Sequence, residues 1–347
     1  MNIGYISSDT FSPYLGTSLY SLLDNNKDIK EINIYIFDVL ISENNKEKII
    51  NVARKYGRTV KFVGNVDAIK EIVEKNKLPS FGGIASTYVK IMPELFFGEI
   101  DRILILDCDT IINQNLSELY NTDIDNCIVA AVPEITAYYY SSEDPKIIYN
   151  NRFYYNTGVL LWNLKRMRET NFNTKLLSNF KEYYKPLKLA DQSLFNLTVC
   201  DEDVKPVNFK YNFNNNLNYI FRNIRRVVME QYEYMGLGIP EANYYKKIDS
   251  ENIAIIHYIG DCRPWKKWRM TPLGSCFMKY WRKGPWKNTP RDSYLDQCIN
   301  QKISKNPSAF AGKKYIGKIY VLLLVILERY FPEIFKKLKE MKYKLLN

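Results

Sequence analysis

The 347-residue chain contains one histidine, His257, and six cysteines, at positions 108, 127, 200, 262, 276 and 298, with no CxxC pair among them. This spacing excludes a zinc ribbon, a zinc finger and a dense disulfide framework, and makes a reducing cytoplasm the expected setting. No GxGxxG turn occurs, so a dinucleotide site of the usual glycine-rich kind is excluded. The opening residues, MNIGYISSD, lack a basic segment followed by a long apolar one, and no signal peptide is expected. The longest apolar run, residues 319–327, falls well short of the ~20 residues that span a bilayer, so no transmembrane helix is expected.

What is present is an ordinary globular composition, with 46% hydrophobic, 25% charged and 14% aromatic residues. The length allows one large α/β domain with an extension, or two domains. The net charge of +11 is unevenly placed. Residues 263–347 hold 20 Lys and Arg against 5 Asp and Glu, a net of +15, whereas residues 1–262 hold 29 against 33, a net of −4. A mildly acidic body offers no track for a phosphate backbone, so nucleic acid is not an expected partner. A basic tail suits an anionic membrane surface instead.

Short apolar segments at 2–7, 32–38, 59–64, 102–106 and 127–132 read as strands, with helical patterns at 13–23, 43–56 and 85–96 between them. Ser42 is placed to cap the second helix. This alternation predicts a Rossmann-like α/β fold with a mixed, mostly parallel central sheet. Residues 156–199 read as strand, helix, helix; a polar stretch follows at 212–223 and an apolar strand at 253–259. The expected division is a catalytic domain over 1–270 and a basic, aromatic-rich helical extension over 271–347, split by Pro332 and expected to associate with membrane.

Asp107-Cys108-Asp109 directly follows the strand RILIL, at the sheet edge where open α/β folds place ligands. Two carboxylates two residues apart can reach one hard divalent cation, and an imidazole joining them suits Mn²⁺. His257 ends the run IAII and opens the polar motif HYIGDCRPW. Within that motif, Gly260 allows close approach of a phosphate, and Arg263 can neutralise charge on a diphosphate leaving group.

In order along the chain, ISSDTF, ASTYVK, LDCDT, YYNTGVLLWNL, LADQSLFN and HYIGDCRPW resemble glycosyltransferase family 8, the retaining transferases that include bacterial lipooligosaccharide galactosyltransferases and glycogenins. The resemblance covers about residues 1–270. It implies a GT-A fold, a UDP-hexose donor, and Mn²⁺, with Mg²⁺ as the alternative, held by Asp107, Asp109 and His257. Lys90 stands where the family usually has an arginine near the donor sugar and diphosphate, and Arg263 where it usually has a lysine. Ser8 and Thr10 replace Asp and Asn contacts to uracil and ribose, leaving Asp9 and backbone groups around Ile6 and Ser8 to read the nucleoside. Asn156, Asp191 and Gln192 resemble the sugar-binding and reaction-centre residues, and Glu134 an acid that contacts donor or acceptor sugar. Local readings stand beside these: Lys90 as a solvated helix residue, Asn156 as a capped turn, Asp191 as a helix N-cap and Glu134 as a solvated loop residue.

An amide at Gln192 is a poor nucleophile, so the resemblance implies front-face attack by the acceptor hydroxyl, with Gln192 stabilising the cationic sugar and Asp191 as the competing catalytic candidate. The expected reaction moves galactose or glucose from a UDP-sugar to a cell-surface glycan or glycolipid, forming an α-linkage at the inner face of the cell membrane. The alternative is a non-catalytic or hydrolytic UDP-sugar-binding protein of the same fold.

Overall fold

The computed structural model describes residues 1–79, 85–98, 100–134, 144–148, 151, 153–183, 185–215, 253–260, 263–266, 271 and 273–289. Most of the polar stretch at 212–223, and the extension beyond 289 with its apolar run and Pro332, lie outside the described residues. The chain divides into two units, Met1–Cys262 with Pro272–Asn288, and Arg263–Thr271 with Thr289–Asn347.

In the first unit, β1 (Asn2–Ser8), β2 (Asn33–Val39), β3 (Val60–Val63) and β4 (Arg102–Leu106) are parallel neighbours. With β6 (Val129–Pro133), β7 (Tyr155–Asn163) and β8 (Val204–Pro206) they form a seven-stranded sheet of order β3-β2-β1-β4-β7-β6-β8. β7 runs antiparallel to both β4 and β6, so the sheet is mixed and mostly parallel, as the strand pattern predicts. β1 is flanked by the second and fourth strands, so the order reverses there and opens a crevice at the carboxyl ends of β1 and β4.

The first two crossovers form where expected, as α1 (Ser12–Asn25) and α2 (Glu43–Arg54), and Ser42 caps α2 by accepting from Asn45 N at 3.4 Å. The third does not. It is α3 (Val66–Asn76), capped by Asn65, whose side chain accepts from Asp67 N at 2.9 Å and Ala68 N at 3.3 Å. The expected helix over 85–96 is instead two short 3₁₀ segments, Ala85–Lys90 and Pro93–Leu95. Pro93 has no N–H to donate back and restricts Met92, so a continuous helix is broken there. After β7 come three helices rather than two: α6 (Leu164–Glu169), α7 (Phe172–Glu182) and α8 (Asp191–Thr198), while α4 (Ser117–Tyr120) and α5 (Pro145–Ile148) are single turns. Trp162 of β7, wholly buried, lies 5.9 Å from the Phe172 ring and 5.8 Å from the Phe195 ring, joining these helices to the sheet.

A second sheet has the order β5-β10-β9, formed by Thr110–Ile112, Ile255–His257 and Phe213–Asn214. It brings a distant segment back against the end of the aspartate loop. In the same unit, α9 (Gly274–Trp281) packs on α1: Trp281 stacks on Tyr14 at 6.2 Å and Asn25 donates to Tyr280 Oη at 2.7 Å. Thus residues 273–288, at the start of the expected extension, are tied to the body. Among the described residues no helix is long and apolar enough to cross a membrane.

Candidate active site

β4 ends at Leu106 and the chain turns through Asp107, Cys108 and Asp109 into β5. Within this turn the buried Cys108 thiol donates to Ile6 O of β1 at 3.1 Å, while the Asp107 and Asp109 carboxylates both approach His257. Burial pushes this thiol well above its ordinary range, so it stays a neutral spacer. β10 pairs antiparallel with β5, placing His257 opposite Thr110, and Tyr258 N donates to Asp109 O at 2.9 Å. The register alone therefore carries the imidazole to the aspartates. His257 Nε2 lies 3.2 Å from Asp109 Oδ1 and 3.6 Å from Asp107 Oδ2.

One ligand atom from each of these three residues lies within 4.8 Å of the others. Two carboxylate oxygens and one imidazole nitrogen form a hard to borderline donor set that fits Mn²⁺ or Mg²⁺. Burial works against the protonated imidazole, but Asp109 and then Asp107 outweigh it, and the His257 pKa is raised above its ordinary value. A site that draws a proton between two carboxylates has the negative potential a divalent cation requires.

Lys90 is not a solvated helix residue. Its ammonium lies 3.3 Å from both Asp107 oxygens and 3.2 Å from Asp191 Oδ2, with the side chain 13% exposed. Burial disfavours its charge, but Asp107 and Asp191 reverse the balance and hold it protonated. Trp162 Nε1 donates to Lys90 O at 3.0 Å, fixing the base of the side chain.

Asp191 is the first residue of α8 and not its cap; that position belongs to Ala190, a non-glycine residue at φ 44°. This strained backbone aims both Asp191 and Gln192 at the amino end of β7. Asp191 Oδ2 accepts from Thr157 Oγ1 at 3.2 Å, and burial raises its pKa against the pull of Lys90. Gln192 Oε1 accepts from Asn156 Nδ2 at 3.2 Å and Thr157 N at 3.3 Å, while its Nε2 donates to Tyr154 Oη at 3.2 Å. Glu134, whose alternative reading is a solvated loop residue, is buried, and its Oε2 accepts from Asn156 Nδ2 at 3.1 Å. Asn156 is thus a junction rather than only a turn cap.

The nucleoside candidates lie at the carboxyl end of β1. Ser8 Oγ and Thr10 Oγ1 are 3.1 Å apart, and Ser8 O accepts from Ser12 Oγ at 3.2 Å. Asp9 Oδ1 accepts from Ser42 N and Asn45 Nδ2, each at 2.8 Å; these bonds hold its carboxyl below the usual range and commit one oxygen to the start of α2. Gly260 adopts φ 65°, a conformation that favours glycine. Arg263 belongs to the second unit, where its guanidinium lies 5.6 Å from the centre of the Trp265 ring.

Three residues enter the site without having been marked in the sequence: Thr157, Tyr154 and Asn212. Asn212 Oδ1 is 2.8 Å from His257 Nδ1, and its Nδ2 donates to Asn156 Oδ1 at 2.8 Å. Its neighbours Asn214 and Asn215 give it no distinguishing sequence context; only the β9–β10 pairing reveals its place.

A Haemophilus influenzae relative named as a glycosyltransferase is 31% identical over 214 residues, 61% of this chain and 63% of its own length. The chain therefore spans under two thirds of that relative. A lipopolysaccharide 1,2-glucosyltransferase of Escherichia coli is 24% identical, with 83% of this chain and 80% of its own covered. The galactosyltransferase LgtC, solved with donor and acceptor sugar analogues, superposes with a TM-score of 0.66 at 21% identity, covering 83% of this chain and 99% of its own. That likeness shows the GT-A fold. The family model for glycosyl transferase family 8 matches residues 2–269, and the chain belongs to that family.

Proposed function

We propose that this chain is a retaining hexosyltransferase that moves galactose or glucose from a UDP-sugar to a hydroxyl of a lipopolysaccharide-type glycan or glycolipid, giving an α-linkage. The observation that carries the reading is the placement of Asp107, Asp109 and His257 beside the Lys90–Asp191 pair and the Asn156–Gln192 amides. Relatives named as lipopolysaccharide glucosyl- and galactosyltransferases support the acceptor class.

Asp107, Asp109 and His257 would hold Mn²⁺ or Mg²⁺, which supplies Lewis-acid stabilisation of the diphosphate leaving group. Lys90, held charged by two carboxylates, adds positive potential on the same side. The sugar's anomeric C–O bond breaks with its electron pair passing to UDP, and the acceptor oxygen forms the new bond on the same face. Its proton passes to a UDP phosphate oxygen. Asp191 Oδ2 is occupied by Lys90 and Thr157, so that oxygen is a poor nucleophile; Gln192 carries no charge. Both facts favour the front-face route over a covalent intermediate. Asn156 and Glu134 fix the amide of Gln192 where cationic character develops on the sugar.

The basic charge after residue 262 supports a further part of the reading, docking of the tail on anionic lipid beside a lipid-linked acceptor. The test is incubation with UDP-galactose, UDP-glucose and a truncated lipopolysaccharide core, with the product read by NMR. An α-anomeric hexose from one donor is expected. A β-anomeric product contradicts the retaining route, and absence of UDP binding contradicts the transferase reading.

A further inference from the structure

The metal-facing nitrogen of His257 is selected by a chain of amides whose direction is fixed at one end by the backbone. Gly158 N can only donate, and it lies 2.8 Å from one terminal atom of the Asn156 amide, which must therefore be the oxygen. Asn212 approaches that same oxygen at 2.8 Å, so the Asn212 atom facing it is the NH₂. The other terminal atom of Asn212 is then its oxygen, and it stands 2.8 Å from His257 Nδ1. An acceptor there requires a proton on Nδ1, which leaves the lone pair of the neutral ring on Nε2. Nε2 is the atom 3.2 Å from Asp109 Oδ1. All three side chains are buried, with 8%, 6% and 4% exposure at Asn156, Asn212 and His257, so reversing Asn156 would set donor against donor at Gly158 N, and reversing Asn212 would set oxygen against oxygen at Asn156, with little water to compensate.

We propose that Asn212 is a positioning residue that relays the polarity of the Gly158 N–H to the imidazole, locking His257 as the Nδ1–H tautomer and presenting Nε2 to a divalent cation shared with Asp107 and Asp109. The proposal rests on reading that trio as a metal site. The same polarity runs toward the sugar side: with its oxygen committed, Asn156 donates through Nδ2 to Glu134 Oε2 and Gln192 Oε1. One strand, β7, therefore orients both the metal ligand and the reaction-centre amide.

The test is Mn²⁺ titration without donor, read from the free-ion EPR signal, on wild type, Asp109→Ala, Asn212→Leu and Asn212→Asp, each checked by thermal melting. Loss of a partner that orients a metal-ligating histidine weakens binding about 10–100-fold, and Asn212→Leu is expected in that range. Asn212→Asp keeps an oxygen at Nδ1 but sets a second oxygen against Asn156 Oδ1, so an affinity between those of Asn212→Leu and wild type is expected. Equal affinity in wild type and Asn212→Leu overturns the positioning role and leaves the metal site standing. Mn²⁺ binding by wild type no tighter than by Asp109→Ala removes the metal site and the positioning role together. A measurement independent of any variant uses the fact that His257 is the sole histidine. In the ¹⁵N-histidine-labelled wild type in alkaline solution the two ring resonances need no assignment by mutation. With saturating Mg²⁺, which displaces the proton that Asp109 and Asp107 would otherwise hold on Nε2, an Nδ1–H, Nε2-unprotonated pattern is expected, and an unprotonated Nδ1 beside Nε2–H overturns the proposal.

Discussion

Gly158 has no room for a side chain beside the trio. A β-carbon there would stand 2.1 Å from His257 Cε1 and 2.6 Å from Nδ1, and 2.9 Å from Asn156 Oδ1. The imidazole occupies the space that any other side chain would fill. Gly158→Ala is therefore expected to displace the ring and weaken Mn²⁺ binding at least about 10-fold, as loss of ligand orientation does; isothermal titration of the folded variant checks this. Sequence reading reached Asp107, Asp109 and His257 because carboxylates and a lone imidazole at strand ends carry recognisable chemistry. It did not reach Asn212, Thr157 or Tyr154, whose roles come from strand register and whose residue types are unremarkable in a chain this rich in asparagine and tyrosine.

The elements that hold the site vary in how strongly their sequence announces them. β4 was legible to the residue, because after Arg102 the segment ILIL is an unbroken apolar run buried on both faces. α3 was missed because only Ile69 and Val73 are buried along it, while residues 85–96 look more apolar and are broken by Pro93. The alternative reading of Asp191 as the cap of α8 fails for a related reason: Asp191 has the chemistry of a cap, but Ala190 takes that position in a strained conformation that no local rule foresees. Leu40, just after β2, is strained without compensation: it is 77% exposed at φ 57°. Leu40→Gly relieves the left-handed strain and sacrifices almost no burial, so a stabilisation of about 0.5–1 kcal/mol is expected in urea unfolding.

The turn after α8 offers a test in pH. Asp203 is pushed up by burial, but the Cys200 thiol, Lys175 and the Cys200 N–H more than reverse this, and its carboxyl titrates below the ordinary value. Lys175 Nζ is 2.8 Å and Cys200 N 3.0 Å from Asp203 Oδ2. A depressed folded pKa means that this stabilisation is complete above the unfolded value near 3.8 and is lost as pH falls through the lower folded one. Asp203→Asn is expected to cost about 1 kcal/mol at pH 7, with Lys175 partly exposed, and in denaturant titrations the gap to wild type should close as pH falls below the unfolded value of 3.8.

On the scale of the whole molecule, the charge division is the main feature outside the site. The net of −4 over residues 1–262 and +15 over residues 263–347 predicts that binding of the full chain to vesicles depends on anionic lipid. Flotation with phosphatidylglycerol vesicles is expected at low salt and should be lost at about 0.5 M salt, where the Debye length falls to a few ångströms. Equal flotation with purely zwitterionic vesicles would contradict electrostatic docking. The fold itself followed from the alternation of strands and helices together with six motifs in order. The return of residues 255–257 to the aspartate loop did not, since antiparallel pairing across more than 140 residues leaves no local trace.

The central claim is that the aspartates and histidine at the carboxyl edge of the sheet serve a metal-dependent transfer from a UDP-sugar. Its most direct measurement is UDP release by the full chain from a panel of UDP-sugars in Mn²⁺, Mg²⁺ or EDTA, with Asp109→Ala alongside, because slow donor hydrolysis requires no acceptor. The account predicts release from a UDP-hexose that depends on the divalent ion and is lost in the variant. Release that persists in EDTA and in Asp109→Ala would contradict it.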